Sequence, residues 1–368
     1  MLEITFYVFI GIIILQLGYY LGIFGKFIFA GPQQVTQKKL PVSVLVLAKN
    51  DAEKIKTLVP KLINQNYPDF ELVLVDNASS DETIDIMEEL ELAHPNVRLV
   101  KVENNEAFWG SKKYALTLGI KAARKEYLLF IDADCEPASN DWLMHMVSQF
   151  TMSKTIVLGF SAYRLVKNSL LNKLIRFDAL INTTQRFAWA KLGAPYSGDG
   201  RNLAYKKEEF FKRNGFINHM NIRTGEDALF INEAATNKNT AVCYTPESFT
   251  YSDAPSTFKA WIFDKRKAAY TTTFFKTGDQ VKLKIFVWLQ ALFLVLMTLL
   301  IIFQFNWMIL VPVIAFRYLV CWIVMIQSAA KLNEKDTVYW FPFMEIMLIF
   351  IQLYVFTVNL SSKKAHWQ

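Results

Sequence analysis

Asp132 and Asp134 are separated by one residue and follow the apolar run Tyr127-Leu128-Leu129-Phe130-Ile131. Such a run reads as a buried strand that delivers two carboxylates at its end. The pair suits a hard cation, because Mg²⁺ or Mn²⁺ is commonly held by one or two carboxylates completed by substrate phosphate oxygens. An ion so placed would offset negative charge building on a departing phosphate group. A second pair, Glu226-Asp227, follows Thr224-Gly225 and opens an apolar helix. The helix dipole favours acids there, and the same position can aim a carboxylate into a cleft to take a proton from a hydroxyl. Asn50-Asp51 and Asp76-Asn77 close two further β-branched runs. Each alone has a plain explanation, since Asp and Asn begin turns and cap helices, as Ser79-Ser80-Asp81 is suited to do. Together they place acids on one rim.

Strands that end side by side are needed to hold these groups. Residues 40 to about 280 alternate short β-branched runs with helix-like stretches, the pattern of an α/β domain with a mainly parallel sheet flanked by helices. Strands are expected at 42–47, 71–75, 97–102, 127–131 and 156–160, with helices at 52–64 and 81–92. In such sheets ligands sit beyond the carboxyl ends of the strands. The chain has no Gly-x-x-x-x-Gly-Lys-Ser/Thr loop and no Gly-x-Gly-x-x-Gly after its first strand, which argues against a P-loop NTPase and a dinucleotide dehydrogenase. With few glycines to cradle phosphate, a metal ion is the natural substitute.

Composition adds a membrane. Hydrophobic residues make up 53% and charged residues 20% of the 368, so part of the chain belongs in lipid. Residues 4–25 are apolar and uncharged, long enough to span a hydrocarbon core at about 1.5 Å per residue, and lack the basic start and cleavage pattern of a signal peptide. Three further candidates are 285–303, 307–330 with Arg317 inside it, and 338–360. Pro342 and Glu345 make the last a kinked span, a re-entrant piece or an interfacial helix. Lys26, Lys38 and Lys39 follow the first span, which puts the middle domain in the cytoplasm; Lys363 and Lys364 conflict with that rule if three more crossings follow. The net charge of +7 is spread among 33 acids without a long basic stripe, pointing to a membrane surface or a phosphate-bearing ligand and no nucleic acid. Cys135, Cys243 and Cys321 have no paired spacing, so neither a zinc site nor a disulfide framework is expected, and a reducing compartment is the default.

These elements resemble family 2 of the glycosyltransferases, with its GT-A fold, over about residues 40 to 275. The resemblance rests on Pro41-Val42-Ser43-Val44, Leu74-Val75-Asp76-Asn77-Ala78-Ser79-Ser80-Asp81-Glu82-Thr83, Gly110 with Lys112 and Ala115-Leu116, Asp132-Ala133-Asp134, Gly200-Arg201-Asn202-Leu203-Ala204-Tyr205 and Gly225-Glu226-Asp227. It implies that Asp76 contacts the nucleotide base or ribose, that Asn50 and Glu53 flank the same pocket, and that Lys112 sits near the nucleotide or its phosphates. Arg201 and Asn202 join the donor-binding set. Asp134, with Asp132, would hold Mg²⁺ or Mn²⁺ and the diphosphate; Asp227 would be the general base, with Glu226 supporting it or touching the acceptor. The implied reaction is an inverting transfer from a nucleotide-sugar, a UDP-sugar by expectation, to a lipid-linked or membrane-associated acceptor in cell-envelope glycan or glycolipid synthesis. The implied setting is a bacterial inner membrane.

One departure matters. Processive and lipid-directed members often carry Gln-x-x-Arg-Trp after the base, whereas here Asp264, Lys267 and Ala268 stand in the corresponding places after Trp261. Lys265, Arg266 and Lys267 then read either as binders of donor diphosphate or lipid headgroups, or as a solvated basic face. His94, His145, His219 and His366 form no metal-spaced set, and Trp109 and Trp189 read more readily as core than as sugar platforms. The expected domains are an anchor at 1–30, a catalytic domain at 31–282 and a membrane region at 283–368. A nucleotidyltransferase and a non-catalytic membrane scaffold are the alternative readings of the same residues.

Overall fold

The computed structural model describes residues 2–103 and 112–361; Trp109, Gly110, Lys363, Lys364 and His366 lie outside the described residues. Two compact units emerge. One comprises Pro32–Arg164 and Gly193–Ala254, and the other collects the chain up to Gly31, Leu165–Leu192 and the stretch from Pro255 onward.

In chain order, α1 (Leu2–Gly18) continues through a π-helical stretch (Tyr19–Phe24) into α2 (Gly25–Ile28). There follow β1 (Val42–Ala48), α3 (Ala52–Ile63), β2 (Phe70–Asp76), α4 (Thr83–Ala93), β3 (Val97–Lys101), α5 (Lys112–Ala122), β4 (Tyr127–Asp132), β5 (Cys135–Pro137), α6 (Trp142–Ser148), β6 (Ile156–Leu158) and β7 (Ser161–Tyr163). After α7 (Leu170–Lys191) come β8 (Leu203–Lys206), α8 (Lys207–Lys212), α9 (Glu226–Ala234), β9 (Thr240–Val242) and β10 (Thr250–Ser252). The chain closes with α10 (Phe258–Thr272), α11 (Thr277–Ile302), α12 (Trp307–Lys331) and α13 (Phe341–Ser361).

The first unit is the α/β domain. Its seven-stranded sheet runs β3-β2-β1-β4-β8-β6-β9, and a three-stranded sheet runs β5-β10-β7. β1 pairs in parallel with both β2 and β4, while β8 is antiparallel to its neighbours β4 and β6. Strands covered on both faces read as continuous apolar runs, and Val44, Val46, Leu72, Leu74 and Leu129 are buried with Leu58, Leu62, Trp142 and Met146 from α3 and α6. The strand expected at 156–160 stops at Leu158, and the chain passes at Ser161 into β7 of the smaller sheet.

The second unit is helical. Four helices are long and apolar enough to cross a membrane: Leu2–Ile28, Thr277–Ile302, Trp307–Lys331 and Phe341–Leu360. The kink considered for the last is not seen. Pro342 sits in the first turn of α13, where its missing N–H removes no helical hydrogen bond. Arg317 is fully buried and meets all the long helices: Nη2 lies 2.8 Å from Glu345 Oε1 and 2.8 Å from Gln290 Oε1, and Nε lies 2.8 Å from Gln16 Oε1. A buried ion pair completed by amides is how a charge is tolerated among apolar helices.

Helix α7 belongs to this unit. Its Arg176 pairs with Asp336 at 2.7 Å and Glu334 at 2.6 Å, while Gln185 and Trp189 donate to Tyr19 Oη at 2.8 and 3.1 Å. Two residues of the basic run after Trp261 have partners here: Lys265 pairs with Asp178 at 2.7 Å, and Arg266 Nε donates to Asn359 Oδ1 at 2.9 Å.

Candidate active site

Sheet register places the acids. Across the two ladders that flank β1, Ala48 lies opposite Asp76 and Leu47 opposite Asp132, so carboxylates ending β2 and β4 stand at one level. The strand order turns at β1, with β2 and β3 on one side and β4 on the other. Open α/β sheets bind ligands in the crevice beyond such a switch point.

Helix α5 brings a cation to this rim. Gly119 lets it lie close on the sheet, since a Cβ there would fall 2.6 Å from Val75 Cγ2. Lys112, in the first turn, places Nζ 3.2 Å from Asp132 Oδ1 and 2.7 Å from Glu226 Oε1. Burial works against the Lys112 charge, but Asp132 and Glu226 outweigh it and hold the ammonium protonated. Asp132 is pushed up from the usual carboxylate range by burial, with Lys112 opposing and Glu226 and Asp134 adding to the rise. Asp134 is exposed and makes no ion pair among the described residues; the Cys135 thiol donates to its Oδ1 at 3.4 Å.

Opposite stands α9. Gly225 enters it at φ +71°, a left-handed conformation that glycine adopts without strain, and sets Glu226 and Asp227 in the first turn. Asp227 Oδ2 accepts the Gly200 N–H at 2.5 Å, and Oδ1 accepts the Ala228 N–H at 2.7 Å. Burial, then the Glu226 charge, then Asp199 push the Asp227 carboxyl up to about 6. Burial also acts on Glu226, yet Lys112 beside it outweighs burial and holds this carboxyl below its usual range. Adjacent acids are thereby divided, one kept ionised and the other poised to exchange a proton near neutral pH. Lys112, Asp132, Glu226 and Asp227 line one pocket together with Leu45, Phe130, Tyr205 and Phe230.

Asp76 is almost fully buried, and both of its carboxylate oxygens lie 3.3 Å from the Ser79 N–H. Asn50 has φ +56° and accepts the Ser80 N–H at 2.8 Å, while its own N–H donates to Ser79 Oγ at 3.0 Å, tying the loops after β1 and β2 together. Left-handed backbone at an Asn on a cleft rim is the kind of local strain that collects at functional sites. Glu53 is not drawn into this group: its side chain is 85% exposed and pairs with Lys56 at 2.9 Å.

The domain that holds this rim can now be compared with known proteins. Residues 43–216 match the model of glycosyl transferase family 2. The chain carries a family 2 glycosyltransferase domain. The match stops short of Glu226 and Asp227. A beta-monoglucosyldiacylglycerol synthase of Trichormus variabilis is 35% identical over 133 residues, covering 34% of this chain and 28% of that protein. A poly-beta-1,6-N-acetyl-D-glucosamine synthase of Staphylococcus epidermidis is 28% identical over 149 residues, 39% of this chain and 34% of that one. The chain thus spans about a third or less of the length of these curated relatives. Among solved structures, a mannosyltransferase from Pyrobaculum calidifontis, in complex with GDP-Man and Mn²⁺, has a TM-score of 0.59 at 18% identity and covers 90% of this chain and 97% of that one. This likeness shows the fold: the mixed, mainly parallel sheet is of the GT-A type.

Two expected donor residues of the glycosyltransferase domain are engaged elsewhere. Arg201 forks onto Asp199, with Nε 3.1 Å from Oδ1 and Nη2 2.9 Å from Oδ2, and lies over the Tyr163 ring at 4.8 Å. Asn202 is fully buried; it accepts from Trp142 Nε1 at 3.2 Å and donates to the carbonyls of Phe160 and Ser248 at 2.8 Å each. Its polar atoms join the two sheets rather than face the pocket. Asn202→Ala is therefore expected to lower stability by about 2 kcal/mol or more, since Trp142 and two carbonyls lose partners. Thermal unfolding measures this.

The effects of Gly200 and of Asp199 just before it on Asp227 arise only where two loops meet, and no local pattern signals them. Lys113 carried no signal beyond its neighbour Lys112.

Proposed function

We propose that this chain is an inverting glycosyltransferase that moves a sugar from a nucleoside diphosphate sugar, a UDP-sugar in the first instance, to a lipid-linked or membrane-associated acceptor. The observation that carries the reading is Lys112 bridging Asp132 and Glu226, with Asp227 next to Glu226 in the lining of the same pocket. The family 2 domain supports the donor class, and the apolar helices, together with a relative named as a beta-monoglucosyldiacylglycerol synthase, support the acceptor class.

Chemically, the acceptor O–H loses its proton to Asp227 as its oxygen forms a bond to the anomeric carbon. The bond from that carbon to the diphosphate oxygen breaks, and the nucleoside diphosphate leaves with the electron pair. Attack from the opposite face inverts an α-linked donor to a β-linked product. Lys112, already protonated, offers positive charge where the diphosphate departs. Asp76 and Asn50 frame the nucleotide. Among the described residues no group of three His, Cys, Asp or Glu side chains could cage a metal. Asp132 and Asp134 suit the other arrangement, in which Mg²⁺ or Mn²⁺ binds one or two carboxylates and the remaining positions go to diphosphate oxygens and water. When bound, such an ion neutralises charge on the leaving diphosphate.

In this reading residues 1–30 anchor the chain, 31–282 form the catalytic segment and 283–368 the membrane region, with 165–192 and 255–282 packing in the helical unit. Lys26, Lys38 and Lys39 support a cytoplasmic catalytic domain at a bacterial inner membrane.

A base that must be ionised sets the pH dependence. With Asp227 at about 6 in the free protein, kcat/KM for the donor falls tenfold per pH unit below that value and is level from about pH 7 upward until another group titrates. Initial rates of nucleoside diphosphate release between pH 4.5 and 8.5 test it; an acid limb near 4, the ordinary carboxylate range, would reject the assignment.

A further inference from the structure

Lys112 and Lys113 stand side by side in the first turn of α5, and successive helical residues point about 100° apart, so the two ammonium groups diverge. Lys112 takes Asp132 and Glu226. Lys113 is 2% exposed, and its Nζ donates to the carbonyl of His219 at 2.7 Å and to that of Ile222. These two carbonyls belong to one turn, because Ile222 N–H also donates to His219 O at 3.0 Å. Three residues later the chain reaches Gly225 and the start of α9. His219 itself is buried, and neither of its ring nitrogens has a hydrogen-bond partner among the described residues. Lys113 thus ties this turn to α5 through two charge-assisted hydrogen bonds.

A lysine in this place is costly. Burial pushes its pKa down to about 8, with Glu226 and then Asp227 opposing, and no carboxylate pairs with it directly among the described residues. A Met of similar length would fill the space without desolvating a charge. What the ammonium adds is a fixed distance between α5 and the approach to α9.

We infer that Lys113 is a positioning residue: by gripping the carbonyls of His219 and Ile222 it sets the Glu226-Asp227 turn against Lys112 and Asp132. This rests on the proposal that Asp227 is the base. Displacing a catalytic group by about 1 Å costs roughly 100-fold in rate, so Lys113→Met should lower kcat about 10- to 100-fold. Its Kd for UDP should stay within about twofold of wild type, because Asp76 and Asn50 are untouched. Lys113→Ala should lose activity likewise and regain part of it in ethylammonium, which a general loss of packing would not show.

The assay follows nucleoside diphosphate release from a panel of UDP- and GDP-sugars with vesicles containing diacylglycerol and polyprenyl phosphate, on the full-length protein, beside Asp227→Asn. Loss of kcat at constant UDP affinity with recovery by ethylammonium is the expected result. Wild-type kcat in folded Lys113→Met, or UDP affinity falling in step with kcat, overturns the inference. If Lys113→Met does not fold, Lys113→Ala purified in ethylammonium and then exchanged out of it decides the matter, and activity indifferent to the amine overturns the inference. An inactive Asp227→Asn beside a fully active Lys113 variant rejects this inference alone, whereas an active Asp227→Asn rejects the base assignment on which it rests.

Discussion

Asp227→Asn is expected to abolish transfer, lowering kcat by about 10²- to 10⁴-fold, while nucleotide binding survives. The substitution is nearly isosteric, and its Oδ1 can still accept the Gly200 N–H that Asp227 now holds. Asn cannot take the acceptor proton, and with its one oxygen on Gly200 it gives up the Ala228 N–H that Asp227 Oδ1 accepts. Stability moves in the opposite direction to activity. The folded carboxyl is raised from 3.8 to about 6, so its contribution to stability is full below about pH 4 and is lost as pH rises through about 6. Asn is neutral at every pH and keeps that contribution at pH 7.5. The variant should therefore unfold at or above the wild-type Tm, which separates lost chemistry from lost structure. Steady-state release of nucleoside diphosphate, read beside thermal unfolding, checks both; kcat within tenfold of wild type would reject Asp227 as base.

The second large effect concerns the metal and the donor together. Wild-type protein in detergent should gain Tm with UDP, and gain more when Mg²⁺ or Mn²⁺ is added. At ligand concentrations near 100 times Kd the stabilisation amounts to about 2.7 kcal/mol, roughly 5 to 10 °C for a domain of this size. Asp134→Ala should lose the metal-dependent part and keep whatever UDP provides alone, because Asp134 is exposed at the rim whereas Asp76 and Asn50 are ordered by their own loops. The metal-free part also answers whether the β1–β2 end of the rim binds nucleotide by itself. An Asp134→Ala protein that still responds to Mn²⁺ as wild type does would remove the carboxylate pair from the metal site.

Much of this was legible because it is local. The runs at 42–47, 71–75 and 127–131 are buried parallel strands, and alternation with helices was enough to order them and to place Asp76 and Asp132 at their ends. Apolar length alone marked the four long helices. What escaped depends on contacts between distant segments. Helix α7 lies in a stretch of ordinary amphiphilic composition, and its membership of the helical unit follows from Arg176 reaching Glu334 and Asp336 some 160 residues away. Asn202 sits inside a recognisable motif, yet its amide joins β6–β7 and β10 segments that no spacing rule connects. The family resemblance implied that Glu53 flanks the pocket with Asn50, but it lies on the solvent side of α3 with Lys56. The raised pKa of Asp227 could not be read at all, since burial, Glu226 and Asp199 act on it only once two loops meet. Likewise an arginine in an apolar span is expected to face other helices or headgroups, as Arg317 does, but no spacing rule named Glu345 as its partner.

The most direct test of inverting transfer is to identify both products. The purified full-length protein is incubated with a panel of UDP- and GDP-sugars, Mn²⁺ and vesicles containing diacylglycerol and polyprenyl phosphate. Nucleotide and lipid fractions are then analysed by mass spectrometry and by anomeric proton couplings. A nucleoside diphosphate together with a β-linked glycolipid is the predicted outcome; pyrophosphate in the nucleotide fraction, or an α-linked product from an α-linked donor, would contradict it.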